Sequence, residues 1–187
     1  IGRIIIGIPT GIFAASKRGS KFDVAAVGSA LFTWGVPTFF LQLLMQLFFC
    51  QVLKSQGTIP FVWDNSYPRE SLIWYTTTAK CLILPILTLV LAGFGSWALY
   101  TRNMLIDALT QDYVITARAK GLSERTVLYK HAFKSILPPI STMITLAIPG
   151  VITGAILTET IFGIEGIGKM YIRALDPSVA DWPVAQA

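Results

Sequence analysis

Gly163, Gly168 and Lys169 follow the order of a phosphate-binding loop, Gly-x-x-x-x-Gly-Lys. Such a loop cradles phosphates with backbone N–H groups and reaches them with its lysine. Here the next residue is Met170, not the Ser or Thr that would contact magnesium, and no strand-like run precedes the motif. The match reads as coincidence. His131 is the sole histidine and lies among basic residues, with no Ser or Cys nucleophile beside it. A surface or docking role suits it better than catalysis. There is no His-Glu-x-x-His motif and no arrangement of paired carboxylates. Cys50 and Cys81 have no metal-ligand spacing. They fall near the same membrane face, so a disulfide is geometrically conceivable. Two small buried apolar side chains are the simpler reading. No catalytic, metal or cofactor site emerges.

The polar residues that stand out lie inside apolar runs. Gln42 and Gln46 are one helical turn apart on one face, and Glu159 is the acid in the last run. Polar groups in hydrocarbon turn toward other helices or toward a water-filled path. All three are therefore candidates for the lining of a translocation path, with a place near the outer end of its helix as the other reading of Glu159.

The elements that must position them are membrane spans. Hydrophobic residues make up 53% of the chain and charged residues 13%, with a mean hydropathy of +0.63. A soluble domain carries about 25% charged residues. So few charges cannot cover a water-soluble globule, and lipid is the solvent implied. The net charge is +5. The Lys and Arg residues sit in short segments between apolar runs, the pattern of loops beside a membrane rather than of a nucleic-acid groove.

The apolar runs are Ile4–Ala15, too short for a full span, then 24–53, 81–101 and 140–162. Gly35 and Pro37 mark a break in the second. Gly150 and Gly154, four apart in the last, would let another helix come close. Lys54–Lys80 reads as a polar, aromatic loop, and Gly163–Ala187 as a loop or re-entrant segment. Lys17, Arg18 and Lys21 share a side with Arg102, Arg118, Lys120, Arg125, Lys130 and Lys134. The opposite side has Lys54, Arg69, Lys80, Lys169 and Arg173. The richer side is expected in the cytoplasm. The chain begins at Ile1 inside an apolar run and reads as a piece of a longer membrane protein.

The most specific segment lies within the basic stretch 102–139. It is Asp112-Tyr113-Val114-Ile115-Thr116-Ala117-Arg118-Ala119-Lys120-Gly121-Leu122-Ser123-Glu124-Arg125. Its pattern is helix, tight turn, helix. Gly121 is placed to end the first helix in the left-handed region, and Arg118 and Lys120 suit the negative end of that helix. Ser123 is a good N-cap, and Leu122 and Val127 flank it as a hydrophobic staple would. Glu124 falls in the first turn, where an acid is favoured. Pro138 and Pro139 are expected to end the second helix or to tilt it into the next span.

This segment resembles the cytoplasmic coupling loop of ABC importer permeases, in the form used by dipeptide, oligopeptide and nickel importers. Glu159-Thr160-Ile161-Phe162 with Gly166-Ile167-Gly168 resembles a second signature of that family, as does Gly7-Ile8-Pro9-Thr10-Gly11. The general loop pattern has an acid where this chain has Ile115, and places a Leu-Pro pair earlier than Leu137-Pro138.

The resemblance implies an all-α fold, a type I permease bundle of transmembrane helices with cytoplasmic coupling helices, as a single domain over 1–187. It implies a multi-pass protein of the cytoplasmic membrane that is not itself an enzyme. Ala117, Arg118, Ala119, Lys120, Gly121, Leu122 and Ser123 would form the contact with the ATPase. The partners implied are a homologous second permease, two ATPase subunits carrying ATP and magnesium, and an extracytoplasmic solute-binding protein. The solute would be a peptide, or nickel or another small solute. An ion-coupled secondary transporter is the competing class. It would need acids or unwound helices near the bilayer midplane, and these runs offer only Glu159.

Overall fold

The structure is a computed structural model that describes residues 1–53, 71–152 and 156–176. Every regular element among the described residues is helical. In chain order they are α1 (Gly2–Ser16), α2 (Lys21–Gly35), α3 (Thr38–Leu53), α4 (Leu72–Leu109), α5 (Asp112–Ala119), α6 (Glu124–Thr126), a π-helical stretch (Val127–Ala132), α7 (Phe133–Ile152), α8 (Ile156–Phe162) and α9 (Ile167–Ala174). Leu72–Leu109 and Glu124–Gly150 are long and apolar enough to cross a membrane. The broken pair Lys21–Gly35 and Thr38–Phe49 qualifies as a third span when taken together.

Two compact units form. One comprises Ile1–Val36 and Val90–Leu146, the other Pro37–Leu89 and Ala147–Ala187.

In the first unit α1 and α2 make a hairpin. Gly19 takes the turn at φ 78°, a conformation that costs a residue with a Cβ about 1 kcal/mol or more. Ser20 caps α2 by accepting from the Asp23 N–H, and Phe13 meets Phe22 edge to face across the hairpin. α1 lies close along α4. A Cβ on Gly7 would strike Trp97, and one on Gly11 would strike the Ala98 carbonyl, each at 2.5 Å. The Gly7 to Gly11 spacing is thus the small-residue face that lets two membrane helices touch. Beyond this contact the core gathers Ala15, Leu105, Ala108, Val114, Ala117, Val127, Leu128, Ala132, Ile136 and Ile140.

In the second unit α3, α8 and α9 pack together. Leu84 and Phe162 form a small core with Met45, Phe49, Ile161 and Ile164 against it. Cys81 is buried. The side chain of Cys50, and Gly154, lie outside the described residues.

The break after Gly35 falls where Gly35 and Pro37 imply, with Pro37 outside both helices. Other expectations need correction. α4 runs from Leu72 to Leu109, so 72–80 and 101–109 are helix rather than loop. Thr76 satisfies its hydroxyl on the helix itself, at the Ile73 carbonyl, so polarity did not mark an end. Pro138 and Pro139 do not end a helix either, since both lie inside α7. Their missing N–H groups strand the carbonyls of Lys134 and Ser135. Both residues are exposed, within reach of water at the basic end of the span. The last apolar run begins inside α7, which starts at Phe133 rather than Ile140, its described residues end in α8, and the segment after Gly163 contains α9. α1 also begins earlier than the apolar run and takes in Arg3.

Candidate coupling site

α5 ends as its residues dictate. Gly121 adopts φ 78°, and the Leu122 N–H reaches back to the Ala117 carbonyl at 3.4 Å while the Gly121 N–H bonds Arg118 at 2.9 Å. That pair of bonds closes a helix with a left-handed glycine. A Cβ on Gly121 would meet nothing within 4 Å. The glycine is needed here for its backbone angle, and its space lies open to a partner. Ser123 caps the next helix, its hydroxyl accepting from the Thr126 N–H.

The turn is clamped across its two sides. Arg118 donates from Nε to Glu124 Oε1 at 2.9 Å and from Nη2 to Oε2 at 3.2 Å. Glu124, read as a helix-dipole residue, therefore also ties α6 to α5. Tyr113 and Ser135 share a hydroxyl contact of 2.7 Å, pinning the start of α5 to α7.

Beneath the turn, Val114 and Ala117 of α5 are buried with Val127, Leu128 and Ala132 of the following helix, and with Leu105 of α4 and Ala15 of α1. Ala117 is thus a core residue of its own unit. Ala119, Lys120, Gly121, Leu122 and Ser123 are exposed, as is the side chain of Arg118. Leu122 stays at the surface while Val127 is fully buried. Arg125, Tyr129 and Lys130 extend the exposed basic surface beside the turn, and His131 lies half-buried next to them. No helix boundary separates the turn's second helix from the span: α6, the π-helical stretch and α7 follow one another without a gap. The π-helical stretch, with the Phe133 N–H bonded to Leu128, carries the extra residue per turn that often accompanies functional helices.

The residues proposed for a path lie in the second unit, pinned rather than free. Gln42 is 1% exposed, and its Nε2 donates to the Thr158 hydroxyl at 2.7 Å. Its Oε1 has no hydrogen-bond partner among the described residues. Gln46 donates to the Ile161 carbonyl at 3.2 Å. The Gln42 and Gln46 amides therefore both bind α8, as their spacing of one turn allows. Glu159 accepts the Lys169 N–H at 2.8 Å, and its carboxylate lies against Gly166, where a Cβ would collide with it, and beside Gly168, where a Cβ would collide with Ile156. Glu159 thus caps α9, and the glycines leave room for it. The anion at the Gly163–Lys169 motif is the chain's own carboxylate, not a phosphate. Glu165 bridges to Arg173 at 3.1 Å in the same region.

Two charged features escaped the sequence. Asp23, which is buried, forms an ion pair with the half-buried Arg102, and Arg3 stands within α1 against Gly93 of α4. Arg3 had a signal, a cation at the edge of an apolar run. The Asp23–Arg102 pair joins distant segments and had none.

Comparison with known proteins fits this architecture. The profile of the binding-protein-dependent transport system inner membrane component matches residues 7–183. The dipeptide transport system permease protein DppB of Alkalihalophilus pseudofirmus is 36% identical over 98% of this chain and 59% of its own length. DppB of Escherichia coli K12 is 35% identical over 97% of this chain and 58% of its own. The oligopeptide transport system permease protein OppB of Salmonella typhimurium is 33% identical over 91% and 51%. The chain spans between about half and three fifths of the length of these relatives. With a profile covering nearly all of its residues, the chain belongs to the family of binding-protein-dependent transport system inner membrane components.

Proposed function

We propose that this chain is the core of the permease subunit of an ATP-driven importer of dipeptides or oligopeptides in the cytoplasmic membrane. In this reading the Ala119–Ser123 turn is the contact with a separate ATPase. The relatives' names support the solute class. The single observation that carries the mechanism is the construction of the turn, which is closed by Gly121, clamped by Arg118 and Glu124, and continuous with the span.

ATP-driven closure of the ATPases would displace the exposed turn. Ala117 and Val114 beneath it pass the displacement to Leu105 and Ala15, hence to α4 and α1. The helix from Glu124 carries it into the membrane. A packed core moves as a block rather than deforming, so the spans rock between inward-facing and outward-facing arrangements. A second permease, two ATPase subunits that bind ATP and magnesium, and an extracytoplasmic binding protein complete the machine. This chain has no catalytic role and binds no cofactor of its own. Gln42, Gln46 and Glu159 act by holding α3, α8 and α9 in register beside the path.

The test is reconstitution. The full-length permease, its partner permease and the ATPases are placed in proteoliposomes with the binding protein. Dipeptide uptake is then expected only with ATP. Uptake driven by an ion gradient without ATP would favour a secondary transporter.

A further inference from the structure

The guanidinium of Arg3 is placed where a membrane helix rarely keeps one. Gly93, which faces it, lies in the charge-free part of α4 between Cys81 and Tyr100. At a rise of about 1.5 Å per residue, Gly93 is roughly 10 Å inside the Tyr100 end of that run. The Arg3 stem lies directly on Gly93: a Cβ there would meet Arg3 Cδ at 2.6 Å and Nη1 at 3.5 Å. The glycine is thus the seat of the side chain. Arg3 is half-buried, and its side chain makes no hydrogen bond or ion pair with any described residue. The acids of its unit are Asp23, Asp107, Asp112 and Glu124. All lie outside the apolar runs, and Asp23 and Glu124 are already engaged by Arg102 and Arg118.

A charge at this depth is costly against lipid, so it faces a partner anion or water. A lipid phosphate is a poor partner. Side chains on a helix point toward its N-terminus, which here leads away from the nearer, basic surface. The opposite surface is roughly 20 Å off in a hydrocarbon layer of about 30 Å. An anion that enters this depth from water would satisfy the charge. A planar guanidinium is the group that recognises a carboxylate with two parallel bonds.

We propose that Arg3, seated on Gly93, is a binding residue of the translocation path that takes the free C-terminal carboxylate of the permeating peptide. The inference rests on the peptide-importer reading above.

The experiment uses the full-length permease complex in proteoliposomes, with Cys50→Ser and Cys81→Ser and a cysteine at Arg3→Cys. A water-soluble thiol reagent should modify this cysteine, and a dipeptide should slow modification about tenfold. The same dipeptide with a C-terminal amide should slow it less than twofold. In the native-cysteine complex, Arg3→Gln should cut dipeptide uptake about tenfold at saturating binding protein, and Arg3→Lys should recover only a small part of it, because an ammonium lacks the two-pronged geometry. Absence of modification in every nucleotide state would place Arg3 against lipid or another helix and overturn the proposal. Equal protection by the amide would overturn carboxylate recognition. Unchanged uptake by Arg3→Gln, with a working wild type, would sink this inference alone. A wild-type complex that imports no peptide would sink the peptide reading and this inference with it.

Discussion

Arg102 holds Asp23 through both arms of its guanidinium: Nε donates to one carboxylate oxygen and Nη2 to the other at 2.8 Å, with the Asp23 side chain only 4% exposed. The Gly19 N–H donates to the same carboxylate at 2.9 Å. One acid therefore fastens the α1–α2 turn to α4, one helical turn from Leu105 in the core beneath the coupling segment.

Removing Arg102 strands the buried Asp23 carboxylate, at a cost of about 3 kcal/mol. Arg102→Ala should lower the thermal stability of the purified full-length permease by about that amount, and Asp23→Ala, which leaves a half-buried guanidinium within reach of solvent, by less. Arg102→Lys should recover little, because an ammonium lacks the two-pronged geometry. The comparison is a melting series in detergent with the double variant included. A loss under about 1 kcal/mol would rank the pair with solvent-exposed ion pairs instead.

The cap on α9 makes a local prediction. Glu159→Ala leaves the Lys169 N–H without its acceptor and should weaken α9 by about 1–2 kcal/mol. Hydrogen exchange across Ile167–Ala174 should then accelerate about tenfold, with exchange in α5 unchanged. Gly166→Ala should act in the same direction, since its methyl would collide with the carboxylate. Unaltered exchange in both variants would show that α9 does not depend on Glu159.

The distribution of Lys and Arg sets the orientation. Single cysteines at Ser20 and Arg125 should react with an impermeant reagent only from the cytoplasmic side. One at Arg173, whose side chain is 62% exposed, should react only from outside. Reaction of Arg125 and Arg173 positions from the same side would reject this topology.

What could be read from residues alone was local. Gly121 and Ser123 announce a helix end and a helix start, and the backbone angle and the cap follow. Gly35 and Pro37 announce a break. Hydropathy finds spans by composition, so it stops where polar residues begin. It could not tell that Thr101–Leu109 continues α4, or that α7 passes through Pro138 and Pro139, because neighbouring turns and water hold those backbones. Pairs remote in the chain were invisible for a different reason. Asp23 with Arg102, Gln42 with Thr158 and Arg3 with Gly93 depend on which helix faces meet, and a single sequence does not carry that register. Ala117 illustrates the same limit. Its small size suggested a surface for a partner, whereas it fills the unit's own core.

The central claim is that the Gly121 turn conveys ATP hydrolysis to the spans. Gly121→Asp tests it most directly, because a side chain there has open space and clashes with nothing inside the chain. Its penalties are a φ of 78°, at a cost of about 1 kcal/mol or more, and a carboxylate set into the proposed contact. The measurement is ATP-dependent dipeptide uptake by the full-length complex, taken beside co-purification of the ATPase, with Ser123→Ala as the milder comparison at about 1 kcal/mol of local helix stability. The account predicts normal membrane insertion for Gly121→Asp, with uptake lost through a weakened ATPase complex or through hydrolysis that no longer drives transport. Wild-type uptake and normal ATPase binding at normal expression would contradict it.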